Sequence, residues 1–147
     1  NHMGSKDELL TTICFRCANE FLEGMQLIEL TQSDPVEKIK ELISLQIRIA
    51  LHDESSLTVF NDEWRHLQEP FLSSFLELRR QYETAYLRII REGIEKGRLQ
   101  NSDPYLMYQL ILSSLRWLHM PTVKKTKLNE QQLTEQISSI LINGIVL

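Results

Sequence analysis

The stretch from Arg79 to Pro104, RRQYETAYLRIIREGIEKGRLQNSDP, constrains the fold more than any other. Extended back to Phe71, its apolar positions are Phe71, Phe75, Leu78, Tyr82, Ala85, Tyr86, Ile89, Gly93 and Ile94. They recur every three or four residues, the spacing that keeps side chains on one helix face. A helix from Pro70 to about Lys96 spans roughly 40 Å at its ordinary rise. Gly97 suits the left-handed residue that stops a helix, and Lys96 and Arg98 suit its negative end. Asp103-Pro104 then reads as N-cap and first residue of the next helix.

The rest of the chain follows the same grammar. A first helix is predicted from about Lys6 to Leu30, with Asp7 and Glu8 in its first turn and Gly24 weakening it slightly. Asp34-Pro35-Val36-Glu37 starts a second, with Asp34 as N-cap and Glu37 completing a capping box; it ends near His52-Asp53. Ser55 or Ser56 opens a short third helix through about Leu67, before Pro70 starts the long fourth. The fifth runs from Pro104 to about His119, and Pro121 and a Lys-rich loop follow. Asn129 caps the last helix, with Gln132 closing a second capping box. No segment alternates as a strand does, and no Asn-Gly or Asp-Gly hairpin turn occurs. The prediction is all-α, a bundle of six helices forming one domain over residues 6–147.

Composition narrows the function. The net charge of −4 argues against these 147 residues gripping a nucleic-acid backbone by themselves. Lys124, Lys125 and Lys127 are the densest basic cluster and read as a solvated loop. No apolar run reaches membrane-span length, and the polar N-terminus does not read as a signal peptide, so the expected setting is cytoplasmic, with no membrane partner. Cys14 and Cys17 form a C-x-x-C inside a helical pattern and read as two ordinary thiols. Glu63 and His66 form a single Glu-x-x-His beside Trp64, too little for a paired-carboxylate metal site. There is no G-x-S-x-G, H-E-x-x-H or phosphate-cradling glycine loop. No catalytic residue, metal or cofactor is assigned.

Two helices are apolar on more than one face. The fifth carries Tyr105, Leu106, Met107, Tyr108, Leu110, Ile111, Leu112, Leu115, Trp117 and Leu118; the last adds Ile140, Leu141, Ile142, Ile145, Val146 and Leu147. Such helices must bury more than one face, in a central core position or against a second subunit.

The Y-E-x-x-Y/F-R-x-I-x-E-G-x-x-x-G-x-L/F-x-x-x-D-P arrangement resembles the long seventh helix and the start of the eighth in the C-terminal domain of TetR-type transcriptional regulators. Ser5-Lys6-Asp7-Glu8-Leu9-Leu10 is similar to the end of the motif Y-x-H-F-x-S-K-x-x-L-L that opens the family's fourth helix. Leu112 to Pro121 resembles the end of the eighth helix, although Leu118-His119-Met120-Pro121 stands where one branch has Trp-Tyr-x-Pro. Leu128 to Ile145 resembles the ninth, with its near-terminal Gly144. Residues 1–5 read as a cloning scar or as the tail of a DNA-binding domain that is otherwise missing.

The resemblance implies a bacterial effector-sensing and dimerisation domain. The last two helices of each chain would build a four-helix bundle in a homodimer, with Tyr108, Leu112, Leu115, Arg116, His119, Ile137, Ile140, Leu141 and Gly144 at the interface. An apolar or amphipathic small molecule would sit between the first, second and fourth helices. Candidate lining residues are Phe21, Met25, Phe60, Trp64, Phe75, Tyr82, Tyr86 and Met107, with Gln46, Arg48, His52 and His66 as further polar groups. Arg79, Arg80, Arg88 and Arg91, with Glu77, Glu83 and Glu92, read as a solvated helix face, one arginine of which could pair with an acidic ligand. DNA would be contacted only through the missing N-terminal domain. The alternatives are a free-standing helical interaction domain without ligand, and a helical-bundle metalloenzyme around Glu63 and His66.

Overall fold

The computed structural model describes residues 4–147; the first three residues of the segment read as a scar or tail lie outside the described residues. Six α-helices carry the chain: α1 (Ser5–Thr31), α2 (Pro35–His52), α3 (Glu54–Asp62), α4 (Phe71–Glu95), α5 (Pro104–Leu115) and α6 (Glu130–Ile145). Short 3-10 turns cover Trp64–His66, Arg116–His119 and Pro121–Thr126. No strand forms among the described residues; Leu99 and Val146 make one isolated antiparallel bridge. The all-α, six-helix expectation holds.

The helix starts are local hydrogen-bond events. Asp34 accepts from Glu37 N–H at 3.1 Å, and Asp103 accepts from Leu106 N–H at 2.9 Å. Each satisfies one of the donors that a first turn leaves without a carbonyl. Asn129 accepts from Gln132 N–H at 2.8 Å while Gln132 Oε1 accepts from Asn129 N–H at 3.0 Å, a complete capping box. The box predicted at α2 stays half-formed, because the Glu37 carboxylate pairs with Lys40 at 3.0 Å instead of returning to Asp34. At α3 the cap is Asp53 rather than Ser55 or Ser56; it accepts from Ser56 N–H at 3.2 Å. That helix ends at Asp62, short of Leu67, and α5 tightens to a 3-10 turn at Arg116. Pro70 supplies no side-chain cap to α4, and Glu69 takes the role, accepting from Ser73 N–H at 2.8 Å.

The stop at the end of α4 forms as predicted. Gly97 has φ 70°, a left-handed conformation open to glycine at little cost, and Arg98 N–H reaches back to Gly93 O at 2.8 Å. The reversal sends Leu99 into the core and lets Gln100 N–H bond Ile145 O at 2.9 Å, tying the C-terminus to the α4–α5 connection.

Around these elements α2 is the axis. Val36, Ile39, Leu42, Ile43, Leu45, Ile47, Ile49 and Ala50 are all buried, and α2 packs against α1, α3, α4, α5 and α6. Gly24 of α1, a weak point by propensity alone, lies where a Cβ would stand 2.6 Å from Leu45 Cδ2, so its bareness brings α1 close to α2. The buried apolar side chains fall into two clusters. The larger surrounds α2, and a smaller one gathers Cys14, Ala18, Leu67 and Phe75 where α1 meets α3 and α4. Phe60 and Leu78 pack against both.

The two capping arrangements predict different sensitivities. Asn129→Ala removes both halves of a box and is expected to lower unfolding free energy by about 1 kcal/mol. Glu37→Ala, which leaves the Asp34 cap intact, is expected to cost less than about 0.5 kcal/mol. Urea unfolding of the two variants decides, and equal losses would show that Glu37 does close its box.

Candidate ligand site

At the seam between the two clusters lies a cavity of about 90 Å³. Ala18 and Phe21 of α1 face it, with Gln46 of α2 and Leu57, Phe60 and Asn61 of α3. Leu78, Arg79 and Tyr82 of α4, then Tyr108, Leu112 and Leu115 of α5 with Arg116 just beyond, complete it. Five helices therefore share one wall. The expected site between α1, α2 and α4 is broadened, since α2 gives only Gln46 while α3 and α5 give several residues.

The aromatic residues form a chain of ring contacts past this cavity. Trp64 stacks on Phe75 at 6.3 Å between centroids, Phe75 meets Phe60 edge-on at 5.6 Å, and Phe60 stacks on Phe21 at 5.6 Å. Phe21 then meets Tyr82 at 5.5 Å, Tyr82 meets Tyr86 at 5.8 Å, and Tyr86 meets Tyr108 at 5.2 Å. These are favourable offset and edge geometries that stiffen the wall. Of the eight predicted lining residues, Phe21, Phe60 and Tyr82 reach the cavity. Phe75, Tyr86, Met25 and Met107 are buried in the clusters, and Trp64 lies behind Phe75 as a half-buried ring. Gln46 lines it; Arg48, His52 and His66 are exposed elsewhere.

Two features of this region lack a hydrogen-bonding or ionic partner inside the protein. The Tyr82 hydroxyl is buried without a hydrogen bond, as is that of Tyr86 one turn on. Burial raises both phenols well above their ordinary pKa, so they stay neutral donors. An unmade bond on a buried hydroxyl costs about 1–3 kcal/mol. Arg79 and Arg116 are the second feature, discussed below.

The residues expected at a subunit interface separate into two groups. Tyr108 and Leu115 are buried within the chain, and with Leu112 and Arg116 they line the cavity. His119 is also buried, its Nδ1 2.9 Å from Thr58 Oγ1. Because the Thr58 proton goes to Glu54 O at 2.9 Å, His119 Nδ1 is the donor in that pair. Free surface for these five positions is thus confined to Arg116 and part of Leu112. On α6, Ile137 and Leu141 are half-buried, while Ile140 and Gly144 are exposed. The surface that α5 does present is Tyr105, Leu106 and Leu110. The α5 sequence is apolar all round, so its period could not say which stripe the core takes.

Cys14 and Cys17 are buried free thiols, each pushed up to about 11 by burial, so both are protonated near neutrality. The Glu63 and His66 side chains stand 3.5 Å apart on the surface, and no group of three or more potential metal ligands occurs among the described residues. No helix of the described residues is long and apolar enough to cross a membrane.

Comparison with known proteins adds the family. Residues 32–145 match the family described as "Tetracyclin repressor-like, C-terminal domain". No curated protein matches the chain. Among solved structures, the ketosteroid transcriptional regulator KstR2 of Mycobacterium tuberculosis superposes with TM-score 0.86 at 20% identity, covering 99% of this chain and 76% of that one. A TetR/AcrR-family regulator from Thermobifida fusca gives 0.81 at 24% identity, covering 97% and 75%. AibR, solved in complex with isovaleryl coenzyme A and operator DNA, gives 0.82 at 16% identity, covering 96% and 77%. At these identities the likeness concerns the fold alone. On the family match over residues 32–145, the chain belongs to the tetracycline repressor-like C-terminal domains of TetR-type transcriptional regulators.

Proposed function

We propose that this chain is the effector-sensing and dimerisation domain of a bacterial, cytoplasmic TetR-type regulator, acting by binding and not by catalysis. Its effector is an apolar or amphipathic small molecule, and its output is altered DNA binding by a helix-turn-helix domain that lies outside these residues. The cavity walled by five helices carries the reading. At about 90 Å³ it is smaller than an ordinary ligand pocket of several hundred Å³, so an effector enters only by spreading the helices around it.

Ala18 and Phe21 make α1 one of those helices. Thirteen residues separate Ala18 from the α1 start at Ser5, a lever of roughly 20 Å. A tilt of about 10° at the cavity moves that end by roughly 3–4 Å over a lever of this length. Two DNA-reading heads must keep a fixed separation to meet successive half-sites, so a shift of this size alters operator fit. The effector works through its different affinity for the two tilts. AibR, crystallised with both a coenzyme A thioester and operator DNA, supports a fold of this kind joining the two events.

Dimerisation is read from the surface. Six of the eleven large exposed apolar side chains among the described residues lie at or after Tyr105. We assign the interface to Leu106 and Leu110 of α5 with Ile140, Leu141 and Gly144 of α6, forming a four-helix bundle with the second copy.

Native mass spectrometry of the purified domain is expected to show a dimer, and a non-covalent adduct on it would give the effector's mass. A monomer at micromolar concentration would sink the assembly and weaken the regulator reading. Leu110 and Ile140 are 63% and 72% exposed, so Leu110→Glu with Ile140→Glu is expected to give folded monomers with unchanged helical circular dichroism. A dimer that survives both substitutions would place the interface elsewhere.

A further inference from the structure

The sign of charge in the cavity wall is unlike that of the chain. The protein carries 20 acidic and 16 basic residues, yet the lining has two arginines and no carboxylate. Some arginines find acids, Arg80 binding Glu77 at 2.6 Å, Arg88 reaching Glu29 at 3.3 Å and Arg98 reaching Asp34 at 2.9 Å, while Arg48, Arg65 and Arg91 form no ion pair among the described residues. Arg79 and Arg116 make no such pair.

Arg79 is held by aromatic rings instead. Its guanidinium carbon lies 4.7 Å from the Trp64 centroid and 5.8 Å from that of Phe75. A cation over a ring face is fixed in place without using up its N–H donors on an acid. Glu83, one turn along α4, acts to raise the Arg79 pKa but forms no ion pair with it. Burial pulls the Arg79 guanidinium below its ordinary value; Tyr108 opposes this, while the like charge of Arg116 adds to it. Two guanidiniums thus border one small space, each keeping some solvent-exposed surface. The Tyr82 hydroxyl on the same wall is buried and lacks an acceptor. All three groups lack the same thing, an oxygen anion, while Phe21, Phe60, Leu78 and Leu112 offer only apolar contact.

We propose that the effector is an amphiphilic acid whose carboxylate or phosphate head is bound by Arg79 and Arg116, with Tyr82 donating to it, and whose apolar chain runs over Phe21 and Phe60. This assignment rests on the sensing role proposed above. Planar guanidiniums suit either oxyanion, since both accept paired N–H donors.

Calorimetric titration with octanoate, octyl phosphate, octanol and octylammonium tests it. Both acids are expected to bind roughly 10- to 100-fold tighter than octanol, the range set by hydrogen bonds to charged groups, with octylammonium weakest. The better of the two acids identifies the head. Arg79→Met and Arg116→Met are each expected to shrink the ratio of acid to octanol affinity. Asn61→Asp, nearly isosteric, places a carboxylate in the same wall and is expected to weaken octanoate while sparing octanol. Equal binding of octanol and octanoate by the unaltered protein would overturn the anion assignment and leave the sensing role standing. Failure of all four compounds to bind would overturn both.

Discussion

Alpha2 has almost no face turned to water, and the other elements are placed by what they bury against it. Its Leu, Ile and Val side chains are shared among α1, α3, α4, α5 and α6. A helix buried on several sides cannot lie at the surface without exposing most of its apolar area, at roughly 25 cal/mol for each Å². This makes α2 the fixed post of the domain. Its N-terminal cap at Asp34 is further tied to the end of α4 by Arg98.

The same arrangement explains why a cavity exists. The α2-centred cluster and the smaller cluster between α1, α3 and α4 are separate packing units joined by Phe60 and Leu78. Where two units meet, side chains obey both sets of neighbours and close packing is hardest to complete. The cavity occupies that junction, bordered by the unpartnered Tyr82 hydroxyl and by Arg79 and Arg116, neither of which forms an ion pair. A seam that leaves the Tyr82 hydroxyl without an acceptor is suited to a ligand that supplies one. On the sensing role proposed above, a ligand filling the seam would act on α1 through Ala18 and Phe21, linking the chemistry of the pocket to a mechanical output.

Much of this was legible in the residues, unevenly. Asp34, Asp103, Asn129 and Gly97 could be read because each acts on backbone within a few positions of itself. Glu37 had the right spacing for a capping box, but Lys40 offered its carboxylate a nearer partner. Arg79 is exposed, as the solvated-face reading has it, but it does not pair with Glu83 four residues on. Its neighbour in space is Trp64, fifteen positions back across a break in the helices. Tyr108, Leu115 and His119 looked like surface for a second subunit, and the monomer buries all three. These differences arise where the local pattern permits two answers and packing chooses one.

The sequence by itself determined where α2, α5 and α6 begin and where α4 stops, that no sheet forms among the described residues, and which helices carry more apolar side chain than one face can use. Those properties rest on hydrogen bonds and periodicities that close within a few residues. Only the tertiary structure decided which stripe of α5 faces inward, which aromatics border a cavity, and which two of the arginines meet there unpaired. A wall assembled from Ala18 through Arg116 brings together five helices, and no rule of spacing along the chain contains the angles at which they cross.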